Sequence, residues 1–360
     1  MKKRVLIINP FGIGDVLFST PLVSAIRRRY QDSYIGYICN IRTKEILETN
    51  PDISELFVFE RDTYRRLWKE SKIKAIKKFF SFWREIQKRK FQTLFDLSLG
   101  KDYAFFCLVA GIKERRGFDY KRRGFFLTHK YRFSGFNDKP VAEYYMDLVL
   151  STEFAQGTNI KNKTVLAFTD KDKKYIVDFL SKSSVSESDS LIGIAPGGGA
   201  SFGKDKSSYR RWNWQNFGEL AHRLSEKGKK IVLLWGPGEE RLVEDIKKSV
   251  KEDILVSPKS TVREMAALMK RCDLVICNDG GVLHVAVSQD IPTISIFGPV
   301  DDKVYGPYPP STRHTVIKNN APCSPCYQRF KLPDCKSKEC IDNISVDRVF
   351  SSAVSKVMEE

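Results

Sequence analysis

The sequence predicts an α/β chain made of two Rossmann-like domains, each a parallel sheet with helices on its faces. Three observations lead there. Short apolar, β-branched runs alternate with helix-like stretches through the first half of the chain. A polar stretch poor in apolar residues, Ser-Lys-Ser-Ser-Val-Ser-Glu-Ser-Asp-Ser at 181–190, interrupts that pattern. A second alternating series begins at Leu191, and 360 residues suffice for two full cores.

In the first half, Val5–Asn9, Tyr34–Cys39, Glu55–Phe59 and Thr93–Leu97 read as short buried strands. Helical stretches lie between them at Pro21–Tyr30, Thr43–Asn50 and Lys72–Lys90. In the last of these, Ile73, Ile76, Phe79, Phe80, Trp83 and Ile86 recur at helical spacing with lysines between. The favoured reading packs this stripe on the domain's own sheet and leaves a basic outer face for an anionic membrane. The second series has strands at Leu191–Pro196, Lys230–Trp235, Ile254–Val256, Leu274–Asn278 and Thr293–Phe297. Its helices are expected at Trp212–Lys227, Glu239–Val250, Thr261–Arg271 and Gly281–Ser288. The boundaries follow: 1–180 is the N-terminal domain, 181–190 a linker, and 191–345 the C-terminal domain with a cysteine-rich segment at 323–340. A helix at 346–360 comes last.

Composition narrows the function classes. No apolar run approaches the length of a membrane span. The start, Met-Lys-Lys-Arg, imitates the basic region of a signal peptide, but only Val5–Ile8 follows before polar sequence, so the expected location is the cytoplasm. The formal charge is +17. Between Arg61 and Gln92 twelve Lys or Arg stand against three acids, and Lys113-Glu-Arg-Arg-Gly-Phe-Asp-Tyr-Lys-Arg-Arg123 forms a second basic cluster. Such patches attract polyanions. No zinc-finger, RNP or helix-turn-helix signature accompanies them, so nucleic acid is not expected as a partner. Four of the eight cysteines form Cys323-x2-Cys326-x8-Cys335-x4-Cys340. The spacing reads either as packed free thiols or as a structural zinc site.

The chemistry concentrates in a few places. After the first strand come Gly12-Ile-Gly-Asp15 and Ser19-Thr-Pro21. Asp15 stands at a helix N-terminus, where the dipole and free N–H groups favour its ionised form. It reads as a catalytic base or as a simple helix N-cap. Gly12, Gly14 and Thr20 complete that loop, Gly12 and Gly14 allowing a tight turn and Thr20 and Pro21 shaping the helix. Asp279-Gly280-Gly281-Val282 opens a helix after a strand, a ready anion site. Glu239 and Glu240, after another strand, are alternatives for binding ribose hydroxyls.

Four ordered blocks resemble glycosyltransferase family 9, the lipopolysaccharide heptosyltransferases and their relatives. They are Gly12–Asp15 with Ser19–Pro21; Ala195-Pro-Gly-Gly-Gly199 with Arg210-Arg-Trp212; Asn278-Asp-Gly-Gly-Val-Leu-His284; and Ile296-Phe-Gly-Pro299 followed by Pro-Cys-x-x-Cys. The cysteine-rich tail looks most like the second heptosyltransferase branch. The resemblance implies a GT-B type α/β fold, two Rossmann-like domains facing each other across a cleft. The N-terminal half would take an anionic lipid-linked saccharide acceptor at the inner membrane, and the C-terminal half a nucleotide-sugar, commonly ADP-heptose. Transfer would invert the anomeric centre without a metal or other cofactor.

In that scheme Asp15 takes the acceptor hydroxyl proton. Arg210, aligned with a lysine common in the family, is the leading diphosphate cation, with Arg211 as its neighbour and alternative. Asp279 should turn to a sugar hydroxyl or to its own helix N-terminus, since a second anion beside a diphosphate would repel it. His284 is a secondary donor-side residue, and Trp212 is packing. Rival readings are a nucleotide-sugar epimerase of the same fold and a non-catalytic polyanion-binding protein. A nicotinamide or flavin enzyme is excluded because Leu17 takes the third glycine position of the dinucleotide fingerprint.

Overall fold

The structure is a computed structural model that describes residues 3–150, 163–199 and 207–358. Met1 and Lys2 of the signal-like start, and residues 359–360 of the expected last helix, lie outside the described residues. The described chain divides into two compact units, 3–136 with 141–150, and 137–140 with 163–199 and 207–358.

In the first unit the order is β1 (Arg4–Ile8), α1 (Ile13–Arg29), β2 (Tyr34–Cys39), α2 (Lys44–Glu48), β3 (Glu55–Val58), α3 (Arg61–Glu70) and α4 (Lys72–Lys88). It continues with β4 (Thr93–Asp96), α5 (Asp102–Val109), β5 (Glu114–Tyr120), β6 (His129–Phe133) and α6 (Val141–Leu150). The six strands are parallel in the order β3-β2-β1-β4-β5-β6. Strands β1 and β4 are central and buried almost throughout, as their continuous apolar runs require. The strand order reverses between them, which makes their C-terminal ends the expected ligand edge.

Helix α1 begins at Ile13, before the expected Pro21, and carries Pro21 inside it. Proline has no N–H to give the carbonyl four residues back. The Thr20 hydroxyl supplies that bond, donating to the Leu17 carbonyl at 2.7 Å. Helix α4 splits its apolar stripe: Ala75, Trp83 and Ile86 are buried, while Ile73, Ile76 and Phe80 face outward. Only part of the stripe therefore packs on its own domain. The second basic cluster is partly structural as well. Arg115 is buried, donating to the carbonyls of Phe126, Ile112 and Lys113, and Arg116 pairs with Glu114.

The second unit starts before the expected boundary. Helix α7 (Asp170–Lys182) is closed by a Thr169–Asp172 capping box, and Asp172 accepts from Arg263 of α10 (Val262–Arg271) at 3.1 Å. Residues 181–190 are thus a helix end and a turn within the unit, not a linker between units. The sheet comprises β7 (Leu191–Ala195), β8 (Lys230–Leu233), β9 (Leu255–Val256), β10 (Leu274–Asn278), β11 (Thr293–Phe297) and β12 (His314–Lys318). Its parallel order is β12-β11-β10-β7-β8-β9, so its own strand order reverses between β7 and β10. Helices α8 (Trp214–Glu226), α9 (Glu240–Ser249), α11 (Gly281–Ser288), α12 (Asp302–Tyr305), α13 (Glu339–Asp342) and α14 (Val346–Met358) complete the unit. Helix α14 packs on α8 and the sheet, as an integral part of this core.

Candidate functional site

The first unit builds its edge from the β1–α1 connection. Asn9 is fully buried at the end of β1, donating to the Asp15 carbonyl at 3.0 Å and accepting from the Phe11 N–H at 3.2 Å. The Asn40 amide donates to the Pro10 and Phe11 carbonyls at 3.0 and 2.5 Å. These two asparagines hold the loop that the glycines leave pliable. Gly12 is the residue that caps α1, and it contributes no side chain. Asp15 therefore lies in the first helical turn rather than at the cap, with its carboxylate near Gly12: a Cβ there would stand 3.9 Å from Asp15 Oδ2. Gly14 is within the helix, and Thr20 is buried on it, so Thr20 is no part of an open loop.

Across the strand reversal of the same sheet stands Asp96, at the end of β4 and paired in register with Ile8. It is buried, one oxygen accepting from the Ser98 N–H at 2.9 Å and the other without a hydrogen-bond partner. Burial raises its carboxyl to about 6. Sequence reading missed Asp96; the available signal was an acid closing an otherwise apolar central strand.

In the second unit the site residues converge at the β7 and β10 ends. Asn278 ends β10; its amide donates to the Pro196 and Gly197 carbonyls at 2.8 and 3.2 Å, and its oxygen accepts from the Trp212 N–H at 3.0 Å. Asn278 was also missed, although it stands inside one of the recognised motifs. Trp212 is buried against Phe217, its indole donating to the Ile344 carbonyl.

Arg210 and Asp279 form a buried ion pair at 2.8 Å. Asp279 thus turns to Arg210. The reason is burial: desolvation raises the Asp279 carboxyl, and the guanidinium opposes that rise. Arg210 also lies beside the start of α11, where a Cβ on Gly280 would stand 3.8 Å from Arg210 Nη2 and 3.4 Å from the Gly198 carbonyl oxygen. Gly280 caps α11 without a side chain, and Gly281 opens it. His284, one turn on, is buried and held down to about 3 by desolvation and by Arg210, so it is neutral.

The two glutamates separate clearly. Glu239 is buried, accepting from the Gly199 N–H at 3.2 Å and the Gly236 N–H at 3.0 Å, whereas Glu240 is exposed in the first turn of α9. Glu239 holds the two glycine loops together. Arg211 lies 3.8 Å from Glu239 and lines a cavity of about 500 Å³ with Pro196, Ser208, Trp214 and Lys338.

The four cysteines of the tail are free thiols, Cys323 exposed, Cys326 and Cys335 half-buried and Cys340 buried. Burial and the neighbouring sulfurs push Cys340 up to about 11. Among the described residues no group of three or more His, Cys, Asp or Glu side chains is placed to hold a metal ion, these four included, so the zinc reading of their spacing gains no support.

The model of glycosyltransferase family 9 (heptosyltransferase) matches residues 79–336. A lipooligosaccharide heptosyltransferase 2 from Haemophilus influenzae is 22% identical over 330 residues, covering 88% of each chain. A family 9 glycosyl transferase from Veillonella parvula superposes with a TM-score of 0.82 at 21% identity, covering 100% of this chain and 99% of that one. The E. coli ADP-heptose lipopolysaccharide heptosyltransferase II superposes with a TM-score of 0.75 at 19% identity, with the same coverage. These structures share the GT-B type α/β fold described above. With a family match over most of its length and two doubly wound sheets, the chain belongs to glycosyltransferase family 9 and is a transferase enzyme.

Proposed function

We propose that this protein transfers heptose from ADP-heptose to the inner core of lipopolysaccharide, with inversion and without a metal. The observation that carries the reading is the first turn of α1, where an acid follows a side-chain-free cap at the strand reversal of the first sheet. In the proposed mechanism the first unit holds the acceptor and Asp15 takes the proton from the attacking hydroxyl. The new bond forms on the face of the anomeric carbon opposite the departing ADP. Gly280 and Gly281 offer N–H groups to the diphosphate, with Arg210 beside them and Arg211 from the adjoining cavity. Arg210, fixed by Asp279, needs no reorientation as charge develops on the leaving oxygen. Either Glu239 or Glu240 would meet the ribose, and Glu239, held by one backbone N–H on each oxygen, keeps lone pairs for a hydroxyl. His284, neutral, would pack beneath the donor without adding charge.

Support for the acceptor comes from the Haemophilus influenzae lipooligosaccharide heptosyltransferase, and for the donor from the E. coli ADP-heptose lipopolysaccharide heptosyltransferase II. Among the described residues no helix is long and apolar enough to cross a membrane. The acceptor is lipid-linked, and we place the enzyme in the cytoplasm, meeting the inner membrane through the basic face of its first unit. The test is Asp15→Asn with ADP-heptose and a lipid-linked acceptor. ADP binding should persist while transfer falls by at least about 100-fold, the scale of general-base loss. Normal turnover in that variant would remove Asp15 from the mechanism. Full activity in EDTA is expected. Release of free sugar or an epimerised donor, with no product on the acceptor, would favour the epimerase instead.

A further inference from the structure

A second cavity, of about 500 Å³, lies wholly within the first unit. Its wall is aromatic: Phe59, Phe79, Trp83, Tyr103, Phe105 and Phe106. Its volume falls inside the roughly 300–1,000 Å³ typical of small-ligand sites. Two cations, Arg61 and Lys101, also line it, together with the acid Asp102. The Arg61 guanidinium sits 5.7 Å from the Tyr103 ring centroid.

The surface around this cavity is apolar and basic together. An unbroken chain of ring contacts runs Phe80–Phe79–Phe106–Phe105–Phe126–Phe125, with centroids 4.8–6.0 Å apart. Phe80 is 66% exposed and Phe125 77%. On α4, Ile76 and Ile73 extend the exposed apolar row one and two turns before Phe80, and Lys72, Lys74, Lys77 and Lys78 flank it. The neighbouring α3 buries none of its residues, and its Trp68 is 52% exposed. Exposed apolar rows between lysines match an interface with anionic headgroups above and acyl chains below.

We propose that the aromatic cavity is a binding site for one anionic phospholipid drawn from the bilayer. An acyl chain lies along the faces of Phe79, Phe105 and Phe106 that line the cavity, and Arg61 and Lys101 hold the phosphate. The exposed aromatics and α4 lysines bring the unit to the membrane surface where such a lipid is available. The inference rests on the membrane-side reading proposed above and adds a stoichiometric site to it.

The test uses the full chain, phosphatidylcholine vesicles with and without phosphatidylglycerol, and native mass spectrometry of protein incubated with phosphatidylglycerol. The expected result is vesicle binding that needs phosphatidylglycerol, and a one-to-one lipid adduct. Phe105→Glu should weaken the adduct at least ten-fold. Arg61→Gln removes one of the two cations that line the cavity and should weaken it several-fold, with thermal unfolding confirming that both variants fold. Vesicle binding with no adduct, or an adduct indifferent to Phe105→Glu, would overturn the site while leaving membrane association standing. Absence of vesicle binding would overturn both, but not the transfer reaction, which is read separately on a deacylated, water-soluble acceptor. Phe105→Glu should leave kcat/KM on that acceptor unchanged. If it instead raised KM for the acylated acceptor in a phospholipid-free assay, the cavity would hold the acceptor's own chain and the assignment would fail.

Discussion

The Arg210 guanidinium lies 2.8 Å from the Asp279 carboxylate with both side chains buried, so the cation expected at the diphosphate is already paired with an acid of the neighbouring motif. Removing one partner leaves the other charge buried without that ion pair. Asp279→Ala should therefore cost about 3–5 kcal/mol in urea unfolding. Replacing both residues with apolar ones of similar volume, Arg210→Met with Asp279→Leu, should recover most of that loss without recovering ADP affinity. If ADP binding in the double variant equals that of the native protein, the pair serves stability alone.

Asn278 satisfies three backbone groups at once, the Trp212 N–H and the Pro196 and Gly197 carbonyls. Asn278→Leu keeps the approximate volume and strands all three. An expected loss of about 2–4 kcal/mol follows from leaving buried polar groups unpaired. Chemical denaturation measures it, and a loss below about 0.5 kcal/mol would mean that water replaces the amide.

Gly197 has no room for a side chain while Glu239 stays where it is, because an added Cβ would fall 2.1 Å from the Glu239 carboxyl carbon. Gly197→Ala should push the carboxylate off the Gly199 and Gly236 N–H groups. Gly197→Ala and Glu239→Ala should then each cost about 1–2 kcal/mol, and the double variant little more than either alone. Exposed Glu240→Ala should change stability by less than about 0.5 kcal/mol. Additive losses from Gly197→Ala and Glu239→Ala would disprove the link.

Asp96 gives a pH signature of definite sign. Its folded carboxyl is raised to about 6 from an ordinary value of 3.8. Between those values the folded chain keeps a proton that the unfolded chain has lost, so this residue's contribution to stability falls as pH rises through the window. Asparagine can still accept from the Ser98 N–H but carries no charge to desolvate. Asp96→Asn should raise the melting temperature at pH 7.5, by up to about 3 kcal/mol in stability, and the gain should vanish near pH 4. Equal melting curves for the two proteins at pH 7.5 would show that the carboxylate is compensated.

Much of this molecule can be read from local sequence. Runs such as Val5–Ile8 and Leu274–Cys277 are buried on both faces, and a continuous apolar run of that length between helices implies a central parallel strand. Gly12–Asp15 and Asn278–Gly281 also announce themselves, because a glycine turn after such a strand puts side chains at the ligand edge. The start of α1 was less legible: Pro21 argues locally against a helix through it, and only the Thr20 hydroxyl bond to Leu17 makes that helix acceptable.

What sequence determined was therefore the class of fold, its central strands and the motifs that stand at their ends, all set by hydrophobic periodicity and turn chemistry over a few residues. Tertiary structure alone decided the pairings. It turned Asp279 onto Arg210, gave Glu239 to two backbone N–H groups while leaving Glu240 in solvent, and buried Arg115 out of a basic cluster. It also divided the α4 stripe into a packed half and an exposed half. Each of these depends on desolvation and on partners distant in sequence, and which polar or charged side chain is buried is a property of the folded neighbourhood rather than of a local pattern.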